Sequence, residues 1–161
     1  MIAVSVAVER EWQIVLKYYH IAEEKCRPYP FGSHFSLTLG GTEVLFYVTG
    51  ARKTNASAAT QYIIDHFQPE RIIVIGTCAG IDPFFQTGDI LLPHRAVQVD
   101  TTVKELDRLI REEFIVDIDL SFCSFPYHTG IVGSSDKAVV IWPDYLELNE
   151  HGISIADTES A

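Results

Sequence analysis

Cysteine is scarce in this sequence, and the cysteine pattern excludes two classes of protein. The 161 residues contain three cysteines, Cys26, Cys78 and Cys123, an odd number without the spacing of a disulfide framework or a zinc site. This usage favours a reducing compartment, so we expect a cytoplasmic protein. Long apolar runs are missing as well, since none approaches the roughly 18 residues of a membrane-spanning helix. The first residues also lack the basic segment and cleavage site of a secretion signal, and we expect no membrane partner.

Positive charge is low, which limits the class of ligand. Twelve lysines and arginines face 22 aspartates and glutamates, giving a formal net charge of −10 with neutral histidines. A nucleic-acid partner is therefore disfavoured, whereas a small nucleoside is not. His34, His94 and His128 each lack a second ligand at helix or strand spacing, so we expect no metal. No G-x-G-x-x-G follows the first strand, which disfavours a dinucleotide-dependent oxidoreductase, and we expect no cofactor.

Strand and helix signals alternate along the chain, which predicts an α/β fold with helices on both faces of a mixed, mostly parallel sheet. Three β-branched runs, at residues 2–8, 44–48 and 71–75, are expected to be neighbouring core strands. The length favours one domain over residues 1–161. The remaining predictions are helices at 9–19, 55–67, 103–114 and 143–150, loops at 27–33 and 121–127, a hairpin of strands 35–39 and 44–49, and strands at 89–92, 96–99, 128–134 and 153–156.

Glu11 follows the first predicted strand, on the side of an α/β sheet where ligands bind. A carboxylate there can hold a water molecule and take its proton as a general base. The alternative is a solvated glutamate in the first turn of a helix, where the helix dipole favours it.

Thr49 and Gly50 form a second candidate site, where a strand runs into a helix that carries Lys53 in its first turn. The free N–H groups of such a helix start suit an anion or an oxygen-rich ligand. The alternative is that Thr54 or Asn55 caps the helix and nothing binds.

The segment Gly76-Thr77-Cys78-Ala79-Gly80 ends the most apolar strand. Its small residues allow close approach by a ligand or by another chain segment. Cys78 is expected to be a packed residue rather than a nucleophile. Asp157 and Glu159 follow the last strand, where a polar ligand would be held.

Five motifs in order span the chain: Ala7-Val8-Glu9-Arg10-Glu11, Thr49-Gly50-x-x-Lys53-x-Asn55-Ala56, Gly76-Thr77-Cys78-Ala79-Gly80, Gly88-Asp89-Ile90 and Ala156-Asp157-x-Glu159-Ser160-Ala161. Together they resemble the phosphorylase/nucleosidase superfamily, and within it the methylthioadenosine/adenosylhomocysteine nucleosidases. The resemblance implies a three-layer α/β sandwich that binds a purine nucleoside at the carboxyl edge of the sheet. It also implies that water attacks the anomeric carbon of the ribose and releases the base.

The resemblance also implies site residues. Glu11 would be the catalytic base, Thr49 would lie beside the water, and Glu159 would bind the ribose hydroxyls. The implied substrate-binding set is Thr49, Gly50, Thr77, Cys78, Ala79, Gly80, Ala138, Val139, Asp157, Thr158 and Glu159.

Several positions depart from the family pattern. Ala138 replaces an aromatic residue, Thr158 replaces a methionine, and Arg52 replaces a glycine. The family's general-acid aspartate, last strand and final helix fall after Ala161, so we expect the chain to lack them. A nucleoside phosphorylase, for which Arg52 and Lys53 supply cations, and a non-catalytic nucleoside-binding protein therefore stay open as alternatives.

The resemblance further implies a homodimer. Without a last strand, Ile153 and Ile155 are expected to lose a neighbour and to expose an apolar edge. We therefore expect the chain to form dimers or larger assemblies.

Overall fold

The computed structural model describes residues 1–100, 124–137 and 142–160, arranged as two compact units, Met1–Thr77 and Cys78–Ala161. Each unit contains its own mixed β-sheet with α-helices, which confirms the predicted α/β class. The predicted helix at 103–114 lies outside the described residues. Within the described parts of the chain, no helix has both the length and the apolar character of a bilayer-spanning segment.

The first unit contains a five-stranded sheet and two helices. Its elements are β1 (Ile2–Val6), α1 (Glu9–Tyr18), a 3₁₀ turn (Glu23–Lys25), β2 (Arg27–Tyr29), β3 (Gly32–Leu39), β4 (Thr42–Val48), α2 (Lys53–Phe67) and β5 (Arg71–Ile75). The strand order is β2-β3-β4-β1-β5, and β1 runs parallel to both of its neighbours. In this register Val4 lies beside Phe46 on one side and Ile73 on the other. The prediction that these three apolar runs are neighbouring strands is therefore confirmed.

Both faces of this sheet are covered at β1 and β4, because alternate residues of each strand point in opposite directions and a helix packs on either face. On one face Val4 and Phe46 pack with Trp12 and Leu16 of α1. The residues next to them, such as Leu45, pack on the other face with the α2 residue Ile63. Burial of each large apolar side chain contributes about 1.5–3 kcal/mol, which explains why continuous β-branched runs form these central strands.

The loop predicted at 27–33 is wrong in its first part, because Arg27–Tyr29 form the edge strand β2. Pro28 lies opposite Ser33 in an antiparallel pair. An edge strand can accept proline, since its outer side needs no N–H donor.

The second unit contains a four-stranded sheet and one described helix. Its elements are β6 (Ala79–Gly80), β7 (Leu91–Gln98), β8 (His128–Ser134), α3 (Trp142–Glu150) and β9 (Ile155–Asp157), with strand order β6-β9-β8-β7. Strands β7, β8 and β9 are parallel, and β6 is antiparallel to β9. The two strands predicted around Pro93 form one strand, β7, whose register shifts between Pro93 and Arg95. The bulge allows the chain to pass proline without ending the strand.

The expected exposed edge is in a different place. Ile155 is 8% exposed, because β9 lies between β6 and β8 rather than at an edge. Ile153, two residues before β9, is 1% exposed and packs in a buried cluster with Val97 and Leu148. Within the described residues, β5 is a strand at the end of a sheet whose apolar side chains are exposed, with Ile73 at 45% and Val74 at 51%.

Candidate functional site

Three candidate residues of the first unit follow strands that end at the same edge of the sheet. Because β4, β1 and β5 are parallel, their carboxyl ends lie side by side. Thr49 follows β4, Glu11 lies just beyond β1, and Thr77 lies two residues beyond β5. The Thr49 N–H donates to the carbonyl of Val6 at 2.9 Å, which continues the β1–β4 pairing to this edge.

Glu11 is positioned by the start of helix α1. Val8 is the extended N-cap residue, and Glu11 is the third helical residue. The Val8 N–H lies 3.4 Å from Glu11 Oε2, longer than an ordinary N–H···O bond. The side chain is half-buried rather than fully solvated. Its carboxylate is held near the amino end of α1, where the helix dipole stabilises negative charge.

The other oxygen of Glu11 is tightly bound. Oε1 accepts the backbone N–H of Thr77 at 2.6 Å and the Thr77 hydroxyl at 2.7 Å. The hydroxyl distance lies within the range of O–H bonds to a carboxylate, and the N–H distance is slightly shorter than the range for N–H donors. The carboxylate also lies against Gly76, where an added Cβ would be 3.4 Å from Oε1. Glu11 therefore has one saturated oxygen and a second that is weakly engaged, which suits a general base.

The turn after β4 does not have the expected helix cap. Helix α2 begins at Lys53, with Arg52 as its N-cap residue, and no side chain caps it. The Asn55 side chain instead donates to the carbonyl of Ala51 at 2.8 Å. Thr49 is buried, and its hydroxyl donates to the carbonyl of Gly50 at 3.0 Å. The alternative in which Thr54 or Asn55 is the cap is therefore wrong.

The second unit places Asp157 at the carboxyl end of β9, beside Ser134 at the end of β8. The Ser134 hydroxyl, fully buried, donates to Asp157 Oδ1, and the Ser160 hydroxyl donates to Oδ2. The Ser160 N–H lies 3.0 Å from the Ser134 oxygen. Asp157 thus anchors the turn that follows β9.

That turn carries Thr158 and Glu159. The Glu159 carboxylate accepts the Thr158 hydroxyl and, at 3.3 Å, the Thr158 N–H. Glu159 is half-buried, so its orientation depends on the anchored turn beneath it. The sequence analysis did not assign Ser134 to the site. The signal that could have identified it is a hydroxyl at the last position of β8, at the carboxyl end of a parallel strand.

The remaining predicted residues have mixed positions. Ala79 pairs with Ala156, one residue before Asp157, so β6 lies next to the acidic turn. Cys78 was expected to be a packed residue, but its side chain is exposed. Ala138 and Val139 lie outside the described residues. Within the described ranges, no three His, Cys, Asp or Glu side chains gather in a group suited to a metal.

Comparison with known proteins identifies similar sequences. A sequence profile of the phosphorylase superfamily matches residues 1–140. A 5′-methylthioadenosine/S-adenosylhomocysteine nucleosidase of Marinomonas sp. (strain MWYL1) is 35% identical over 63 residues, which are 39% of this chain and 27% of the relative. The matches to the most similar curated relatives span between 27% and 40% of those proteins.

Solved structures share the fold. A Helicobacter pylori 5′-methylthioadenosine/S-adenosylhomocysteine nucleosidase with butyl-thio-DADMe-Immucillin-A aligns with a TM-score of 0.83 and 16% identity, covering 99% of this chain and 75% of that one. Futalosine hydrolase of H. pylori strain 26695 aligns with a TM-score of 0.78 and 14% identity, with the same coverage. At these identities the likeness shows the fold, and it confirms the nucleosidase-like architecture expected from the sequence.

Proposed function

Because the chain belongs to the phosphorylase superfamily, we propose that it is a purine-nucleoside N-ribosyl hydrolase of the methylthioadenosine/adenosylhomocysteine nucleosidase type. The observation that carries the proposal is the carboxylate of Glu11, held at the carboxyl edge of the parallel strands with one oxygen weakly engaged. The nucleosidase relatives, whose names give this reaction, support it.

In the proposed reaction Glu11 binds a water molecule through Oε2 and takes its proton. The water oxygen forms a bond to the anomeric carbon of the ribose as the bond from that carbon to the purine nitrogen breaks. The electron pair of the broken bond leaves with the purine, which gains a proton from solvent water, and Glu11 returns the proton it has taken to the solvent. General-base assistance of this kind contributes roughly 10²–10⁴-fold to the rate.

Glu159 is proposed to accept hydrogen bonds from the ribose hydroxyls. Such bonds strengthen as the sugar becomes electron-poor, because the carboxylate is charged. The anchored turn supports this role, since Ser134 and Ser160 fix Asp157 two residues before Glu159. A ligand that meets a preformed turn need not order it on binding.

The direct test is release of purine by the purified chain from methylthioadenosine, adenosylhomocysteine and futalosine, followed by liquid chromatography. We expect release from at least one of the three in phosphate-free buffer. Release that requires added phosphate would support the phosphorylase alternative, in which Arg52 and Lys53 bind the anion. Absence of release at high protein concentration, together with nucleoside binding by calorimetry, would support the non-catalytic alternative.

A second substrate separates the two halves of the chemistry. In p-nitrophenyl ribofuranoside the leaving group departs as a stable phenolate and needs no proton. Hydrolysis of this compound but not of purine nucleosides would show that the base and the ribose site work while protonation of the purine does not. Hydrolysis of neither would contradict the assignment of Glu11 as the base.

We also propose a cytoplasmic location, because the cysteine usage favours a reducing compartment.

We further propose that the chain self-associates through β5. Ile73, Val74 and Ile75 form an exposed apolar strand at the end of the first sheet as described. The unpaired backbone groups of such an edge pair readily with an identical strand of a second copy.

A further inference from the structure

Thr77 donates two hydrogen bonds to one carboxylate oxygen of Glu11, and this arrangement affects which oxygen of Glu11 can take a proton. We propose that Thr77 is a positioning residue that fixes Glu11 through Oε1 and leaves Oε2 as the oxygen that takes the proton. The inference rests on the proposed function, because it treats Glu11 as the base. It differs from the role that the family resemblance gives Thr77, which is contact with the substrate.

The distances distinguish the two oxygens of Glu11. Oε1 lies 2.6 Å from the Thr77 nitrogen and 2.7 Å from its hydroxyl oxygen, whereas Oε2 lies 3.4 Å from the Val8 nitrogen. Two short bonds to one oxygen lower the electron density available there for a proton. In the described residues Oε2 has only the long contact with Val8, so a water molecule finds its stronger acceptor at Oε2.

The hydroxyl of Thr77 has a defined donor direction. A carboxylate can only accept, so the single hydroxyl proton of Thr77 is directed at Glu11 and is not available to a ligand. A ligand could use the hydroxyl oxygen only as an acceptor, through its two lone pairs. The main energetic role of the hydroxyl is therefore to orient Glu11.

The bond also joins two elements that are remote in sequence. Glu11 lies on α1 after the central strand β1, and Thr77 follows the edge strand β5, a separation of 66 residues. Gly76 lies beside the carboxylate, and an added Cβ there would be in ordinary van der Waals contact with it, 3.4 Å from Oε1. Orientation of the base therefore depends on the β1–β5 pairing and not on the rotamer preference of Glu11 alone.

Two substitutions separate orientation from substrate contact. Thr77→Val removes the hydroxyl and keeps the shape and the backbone donor, whereas Thr77→Ser keeps both donors. Loss of a hydrogen bond to a charged group predicts a fall in kcat of roughly 10- to 100-fold for Thr77→Val. We expect an unchanged KM and a Thr77→Ser enzyme close to the wild type. A rise in KM with kcat unchanged, or equal loss in both variants, would overturn the proposal.

A spectroscopic measurement decides the contact without activity. A short N–H bond to a carboxylate moves the amide proton of Thr77 strongly downfield in the NMR spectrum of the full chain. Glu11→Gln keeps an acceptor at the Oε1 position and should retain much of this shift, whereas Glu11→Ala should abolish it. A Thr77 amide that is not shifted, or that is unaffected by Glu11→Ala, would overturn the positioning role. A shifted amide in a chain that releases no purine would instead refute the proposed function alone.

Discussion

Arg52 has a backbone conformation that only glycine adopts easily, and this predicts a stabilising substitution. Its φ is +81° and its ψ is 153°, directly before helix α2. In this region the Cβ of any other residue clashes with the neighbouring backbone, which costs about 1–3 kcal/mol. The family resemblance implies glycine at this position, and glycine would adopt the conformation without strain.

The expected gain follows from two opposing terms. Arg52→Gly relieves the strain but adds backbone freedom to the unfolded chain, a loss of about 0.5–1 kcal/mol. The net prediction is an increase of up to about 2.5 kcal/mol in the free energy of unfolding, with about 1 kcal/mol at the middle of both ranges. For a chain of this size the melting temperature rises by roughly 2–4 °C for each kcal/mol.

Arg52→Ala is the matched control, because it removes the guanidinium and keeps the strained backbone. Urea unfolding of the wild type and both variants gives the free energies. The difference between the glycine and alanine variants gives the backbone strain less the cost of the added backbone freedom of glycine. If the glycine variant is no more stable than the alanine variant, or if only the slope against urea changes, the backbone argument is refuted.

Three further predictions concern stability and assembly. Ser134→Ala should lower amide-exchange protection in β9 by roughly 10- to 100-fold and leave β1 unchanged, because a buried hydrogen bond to a carboxylate is lost; equal protection in β9 would contradict this. Burial, and then the nearby Arg27, lower the pKa of His34, so the folded state binds fewer protons than the unfolded one. Stability should therefore fall as pH drops through the ordinary value of 6.5, and His34→Asn should remove that part of the slope; an unchanged slope would refute it. Val74→Lys should weaken self-association in sedimentation experiments, and equal association of both chains would exclude the β5 edge.

The central strands could be predicted from the sequence because their apolar content is continuous. β1 and β5 are short β-branched runs, and β1 pairs along its whole length with β4 on one side and β5 on the other. β2 could not be predicted, since three residues that include Pro28 give no periodic signal. Strand β7 was divided at Pro93 for a related reason, because a bulge that accommodates proline is a tertiary feature.

The site was predictable in its residue types and not in its contacts. Glu11 and Asp157 follow apolar strands, and this placement alone brings carboxylates to the carboxyl edge of a sheet. The bonds that orient them come from Thr77 and Ser134, which lie 66 and 23 residues away in sequence. No local pattern contains pairings of that range.

The central claim is that Glu11 is the base of a nucleoside hydrolase. The most direct measurement is the rate of adenine release from methylthioadenosine in phosphate-free buffer by the wild type, Glu11→Gln and Glu9→Gln. Glu9 is an exposed first-turn glutamate of the same helix, which makes it a matched control. The account predicts a loss of roughly 10²–10⁴-fold in Glu11→Gln and none in Glu9→Gln. An unchanged rate in Glu11→Gln, or an equal loss in both variants, would contradict it.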